Sequence, residues 1–364
     1  MKRSRKSSLA VMMAALLVST AAGCSGGGQG QTSAAPANTE AKAAAEQTKT
    51  AERAKTESSG TGETGTESAG SPAAQTDWPT KTIEIVVPGG AGGDTDLCTR
   101  MLAEKLQDEL GQPIIITNIG GSGGSIGARE VLEAEPDGYK LLMFHPGLLL
   151  TEISGVADFG YKDFDMAANA FMDETLVWVT NSKSEYSDMT ELIEYAKNNK
   201  VQYATDFGGH THAVALMVQD AAGVEFNIVD AGGSSDRVAA LLGNQIGLIA
   251  TSYGMVKDYI ESGDFKVLGI AADERSPFCP DVPTFIEQGI DVTAPKIYFL
   301  SWPKGIDPAI QDKFAAAVEK VCQDPGLQAD VEEKMCINTE YMPPEDLSAY
   351  LDELFNQYEP LLKK

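Results

Sequence analysis

From Thr82 onward, short runs of branched apolar residues alternate with amphipathic stretches of helical period, and few architectures accept that order. TIEIVVP (82–88) reads as a strand. DLCTRMLAEKLQDELG (96–111) reads as a helix, with Leu97, Met101, Leu102, Leu106 and Leu110 along one face and Gly111 as its cap. PIIITNI (113–119) and YKLLMFH (139–145) are further strands, with a helix between them that ends near Ala134. LVWVTN (176–181) is a long connecting strand, and after it the pattern restarts. Helices at 189–199, 212–223, 235–244 and 255–263 alternate with strands at 201–206, 226–232, 247–252 and 265–272. The end, from Ile306, is mostly helical. Such strand–helix–strand units imply parallel strands covered on both faces. Two runs joined by long strands imply an α/β chain of two lobes, each a mostly parallel sheet flanked by helices. The expected division is residues 78–177 with 296–364, and residues 178–295.

The N-terminal part does not share this pattern. Lys2, Arg3, Arg5 and Lys6 precede an apolar run from Leu9 to Val18, too short to span a membrane, and small residues lead to Cys24. Residues 1–23 read as a secretory signal. Ala21-Ala22-Gly23-Cys24 resembles a bacterial lipoprotein cleavage box, with Ala where Leu is usual. Cys24 is the expected lipidation site. Residues 24–77 are dominated by Gly, Ser, Thr, Ala and Glu, too few large apolar groups to offset chain entropy. They are expected to be a flexible tether, with the lipid holding an extracytoplasmic body at the outer face of the cytoplasmic membrane or in the periplasm.

Charge narrows the choice of partner. The chain has 28 Lys+Arg against 53 Asp+Glu, a formal net charge of -25, and nearly all the excess acid lies after residue 77. That argues against nucleic acid. It also repels anions at long range, so any anion must be held by short-range contacts. Besides Cys24, Cys98, Cys279, Cys322 and Cys336 match no metal knuckle. Cys98 falls within an amphipathic helix as a buried thiol, and Cys322 with Cys336 is one conceivable pair. No cofactor motif is present. GGSGGSIG lacks GxxxxGK[ST], and PGGAGGDTD does not supply G-x-G-x-x-G. Neither G-x-S-x-G nor H-E-x-x-H occurs, so an enzyme is not expected.

Ligands of such sheets bind outside the carboxyl ends of the strands, which points to loops 88–96, 118–127, 144–147, 204–212 and 230–235. In PGGAGGDTD (88–96) and GGSGGSIG (120–127), glycines admit backbone N–H groups to a ligand, and a helix N-terminus follows. Two such loops would cradle a carboxylate or phosphate, and a Cβ at Gly124 would take the anion's place. Yet the first loop carries two carboxylates, Asp94 and Asp96.

PGGAGGDTD, NIGGSGGSIGA, PDGYKLL, YATDFGGHTH, GGSSDRVAALLGNQIGL and PDVPTFIEQG together resemble the solute receptors of tripartite tricarboxylate transporters, the Bug family, over essentially all of 78–364. The resemblance implies a two-lobed, periplasmic-binding-protein-like (type 2) fold that closes over a small di- or tricarboxylate-like ligand. It implies a monomer that hands this ligand to integral-membrane transporter subunits. Gly92, Gly93, Thr95 and Asp96 then sit on the first ligand loop; Asn118, Gly123, Gly124 and Gly127 on the second. His212 matches a recurring histidine, and Gly233 and Ser234 match an anion contact of the second lobe. The 204–212 loop is one residue short of the family pattern, which leaves the roles of Thr205, Asp206 and Phe207 open.

Three residues depart from that pattern. Asp94 stands where Ser or Ala is usual and points toward a cation, an amino group or solvent. His145 replaces a small hydroxyl residue and is expected to hydrogen-bond the ligand. Arg237, beside Ser234 and Ser235, is either a positive group in the cleft or a solvated surface residue. The three histidines, His145, His210 and His212, fall in expected loops. With Asp94 or Asp206 they are a conceivable zinc set, though no metal is expected. His210 and His212 share a side only if their segment is extended. A receptor for an amino-bearing or metal-complexed ligand, or a sensor component, is the alternative function.

Overall fold

The strands of residues 76–363, the part that this computed structural model describes, form two sheets. The leader, Cys24 and almost all of the tether lie outside the described residues. In chain order the strands are β1 (Ile83–Val87), β2 (Ile114–Asn118), β3 (Lys140–Phe144), β4 (Phe164–Asp173), β5 (Leu176–Asn181), β6 (Gln202–Thr205), β7 (Asn227–Asp230), β8 (Leu248–Ser252), β9 (Phe265–Ile270), β10 (Lys296–Pro303) and β11 (Asn338–Met342). The helices are α1 (Asp94–Leu110), α2 (Ser125–Leu132), α3 (Gly147–Ile153), α4 (Met189–Ala196), α5 (His210–Ala222), α6 (Ser234–Leu242), α7 (Lys257–Glu261), α8 (Pro308–Cys322), α9 (Pro325–Met335) and α10 (Pro344–Leu362).

The first sheet has the order β11-β4-β10-β3-β1-β2 and the second β7-β6-β8-β5-β9. The two-lobed α/β architecture is therefore as expected, but each sheet is mixed. β1 is parallel to β2 and β3, and β6 is parallel to β7 and β8, as their helical crossovers require. The other pairings are antiparallel, because β4, β5 and β10 belong to passages between the lobes. Only Glu174 and Thr175 separate β4 from β5. β10 returns to the first sheet and pairs antiparallel with β4, beginning at Lys296 opposite Asp173. A charged pair thus sits where the chain passes from one sheet to the other.

Aromatic residues fill both cores. Trp302 packs on Phe314 and Trp78 in the first, and Trp178 on Tyr203, Phe226 and Phe285 in the second. Each such side chain, buried, contributes roughly 1.5–3 kcal/mol. Gly111 takes the left-handed conformation that ends α1, as its position predicted. The four cysteines of the described residues are buried and free. No helix among the described residues is long and apolar enough to cross a membrane.

Candidate functional site

A cavity of about 70 Å³ opens at the carboxyl ends of β1, β3, β6 and β7, between the two sheets. One water needs roughly 10–15 Å³ of such space, so the cavity suits a small molecule. Three helices present their N-termini to it: α1 through Gly93, Asp94 and Thr95, α5 through Gly209, His210 and Thr211, and α6 through Gly233 and Ser234. All three are capped by glycine in extended conformation, which has no side chain to cap the first turn; in α1 the Asp94 N–H is taken instead by Ser234 Oγ. Their first-turn N–H groups lack intrahelical partners, and each helix adds about half a positive charge there. Convergent N-termini of this kind receive an anion.

Asp94 is not a solvated residue. Its Oδ2 accepts from Lys296 Nζ at 2.5 Å and from Tyr298 at 3.0 Å. Its Oδ1 accepts from Ser234 Oγ at 2.7 Å, while its own N–H donates to the same oxygen at 3.2 Å. Lys296, 3% exposed, also lies 3.2 Å from Asp173 and 2.8 Å from Ser252. Burial alone would raise the Asp94 carboxyl, but Lys296 and the Ser234 hydrogen bond outweigh it and hold the group well below its ordinary range. Burial works against the Lys296 ammonium, but Asp94 and Asp173 raise it above its ordinary value. The carboxylate that conflicted with an anion cradle is therefore paired within the protein, sharing Lys296 with Asp173. It also bridges the lobes, since Ser234 and Ser252 belong to the second.

Lys296, Asp173, Ser252 and Tyr298 were not singled out in the sequence. The available signal was a charge inside an apolar run: Lys296 opens KIYFLSW, and Asp173 divides AANAFM from the apolar residues of β5.

Asp96 has a separate role. It accepts from Arg100 Nη2 and Nε, at 2.8 and 2.9 Å, from Asn118 at 3.0 Å and from the Gly92 N–H at 2.8 Å. Burial opposes its charge, but these donors lower its carboxyl. Asn118 and Gly92 thus tie the two glycine loops together rather than lining the cavity. Gly124 also stands off the cavity. With φ +93°, a Cβ there would meet the Phe144 ring at 2.4 Å and the Pro88 carbonyl at 3.0 Å, so the expectation of a blocked anion is replaced by a clash with the core. Gly123 does line the cavity, and its N–H donates across the cleft to Asp206 at 3.1 Å. Burial raises the Asp206 carboxyl. Thr205, fully buried, shares a 2.6 Å hydrogen bond with Thr211 behind the wall.

The histidines divide as well. His210 and His212 lie in the first turn of α5, not in a loop, so their side chains diverge. His212 accepts the Gly208 N–H at 3.1 Å, packs on Phe207 and stays off the cavity wall. His145 lines the cavity, and its Nδ1 accepts the Gly147 N–H at 3.0 Å. Burial and Lys296 hold His145 neutral, so its proton is on Nε2, as a donor. His210, against which His145 packs, is lowered to about 3 by burial and by Lys296. No group of three or more His, Cys, Asp or Glu among the described residues is arranged to hold a metal.

Arg237 lines the same cavity and is 5% exposed, not a surface residue. Its Nη1 donates to the Gly232 carbonyl at 2.7 Å.

Comparison with known proteins accords with this geometry. Protein BugT of Bordetella pertussis is 32% identical over 240 residues, spanning 64% of this chain and 74% of BugT. The solved structure of the periplasmic binding protein BugD matches with a TM-score of 0.74 at 27% identity, over 79% of this chain and 98% of BugD. MatC from Rhodopseudomonas palustris, solved with bound malate, matches with a TM-score of 0.72 at 25% identity, over 78% of this chain and 100% of MatC. The family model described as tripartite tricarboxylate transporter family receptor matches residues 98–364. The chain belongs to that family of solute-binding receptors.

Proposed function

We propose that this family receptor captures a small organic carboxylate in the cavity between its sheets and delivers it to a tripartite tricarboxylate-type membrane transporter. The convergence of the α1, α5 and α6 N-termini on one small cavity carries the reading. It supplies anion recognition from fixed dipoles in a chain whose net charge of -25 gives no long-range attraction. The malate held by MatC is of the same ligand class. Of the residues first proposed for contact, Gly93, Asp94, Thr95, Asp96, Gly123, His145, Gly233 and Ser234 line the cavity. Closure of two lobes over the acid would exclude water. We place the lobes at 78–177 with 296–364 and at 178–295. Cys24, after the signal 1–23, carries the lipid that tethers them outside the cytoplasm.

A thermal-shift screen against organic acids and amino acids, with and without divalent metals, tests the proposal. A ligand of the folded state raises the midpoint by mass action. A metal-independent rise with a small carboxylate is expected. A rise only with amines, or only with metal present, would instead support the receptor for an amino-bearing or metal-complexed ligand. Labelling with radioactive palmitate, lost in Cys24→Ala, tests the anchor.

A further inference from the structure

We propose that Arg237, with His210 and Thr251, makes this receptor select a monocarboxylate over a dicarboxylate of the same length. This rests on the carboxylate reading above and adds the charge of the ligand to it. Arg237 lies in the first turn of α6. Its guanidinium meets only the carbonyls of Gly232, at 2.7 Å, and Ala250, at 3.4 Å. Its Nε has no partner, and no carboxylate among the described residues forms an ion pair with it. His210 is 3% exposed, and neither of its ring nitrogens is hydrogen-bonded. Thr251 is 2% exposed, and its hydroxyl is unpartnered. All three line the cavity.

A buried cation with only neutral partners is costly, and so is each buried polar atom without one. A carboxylate supplies what this wall lacks: one negative charge and two acceptor oxygens. The other cation on the wall, Lys296, is already shared by two carboxylates, Asp94 at 2.5 Å and Asp173 at 3.2 Å. Asp206 also lines the cavity but forms no ion pair with Arg237, so Arg237 is the cavity's one cation without a carboxylate in direct contact. The ligand's first carboxylate matches it. A second would find no free cation and would stand in a cavity that Asp94 and Asp206 also line. A neutral polar end, an amide or a hydroxyl, meets the helix N–H groups and the His145 donor without that repulsion.

Titration calorimetry on two isosteric pairs tests this: malonamate against malonate, and succinamate against succinate. The monoanion is expected to bind at least tenfold more tightly in whichever pair binds. Arg237→Gln should weaken the monoanion at least tenfold and leave the dianion the less affected, whereas Arg237→Lys should keep part of the preference. Ligand-free melting of each variant checks that it folds, and the wild-type ratio stands even where a variant does not. Equal or tighter binding of the dianion overturns the proposal and leaves the carboxylate receptor intact. Failure of all four acids to bind also overturns it, and the wider screen then decides whether a carboxylate receptor remains.

Discussion

Asp94 and Asp96 stand two residues apart in one helical turn and serve different parts of the molecule. Asp96 is bound within its own lobe, by Arg100 of the same helix and by Asn118 and Gly92 of the neighbouring loops. Asp94 reaches residues far along the chain: Lys296, Tyr298, Ser234 at the start of α6 and Ser252 of the other sheet. Adjacent carboxylates in a glycine loop thus need not share a purpose. One fixes the cradle's shape, and the other joins the lobes and neutralises a buried lysine.

The largest expected effect comes from removing the lysine. Lys296→Met leaves Asp94 and Asp173 buried without a cation and should cost about 3–5 kcal/mol in urea unfolding. A loss no larger than that of Asp96→Asn would break the contrast. Gly124→Val comes next, at about 2–4 kcal/mol, from a left-handed backbone and a clash with Phe144. A folded variant of normal stability that fails to bind would restore the anion-blocking reading. Asp94→Asn leaves Lys296 paired with Asp173, so about 1–3 kcal/mol is expected. It should also increase the radius of gyration by X-ray scattering, since bonds to the second lobe are lost. Asp96→Asn should cost roughly 1–2 kcal/mol, less in high salt because Arg100 is half exposed, with no change in radius.

The smallest effect per step is in pH. His210 titrates near 3 in the fold and near 6.5 when unfolded, so the unfolded chain binds more protons between those values. Its contribution is fully present above pH 6.5. It falls by up to about 1.4 kcal/mol per unit as pH drops toward 3. His210→Gln should flatten that part of the stability profile. Asp94, held low, adds a further loss only as pH falls below about 4. An unchanged slope in the variant would mean that His210 is not buried as described.

The order of elements was legible because each strand and helix carries its own period, and the first two glycine loops because runs of small residues follow β1 and β2. Asp94 stood out in the first of them, whereas Thr95, Gly123 and Ser234 were singled out through the family resemblance. What was not legible depends on where elements start and cross. A helix that begins at His210 sends His210 and His212 apart, whereas an extended segment in the loop expected there would have kept them together. Lys296 and Asp94 are separated by 202 positions, and only the return of β10 between β3 and β4 brings them into contact. Arg237 could be read equally as surface or cleft, since the helix face it occupies is set by packing against β8.

A crystal structure of the chain with a carboxylate that raises its melting midpoint tests the central claim most directly. The account predicts the acid in the cavity between the N-termini of α1, α5 and α6, with a carboxylate oxygen within hydrogen-bond distance of Arg237 or His210. An acid bound elsewhere, with that cavity holding only water, would contradict it.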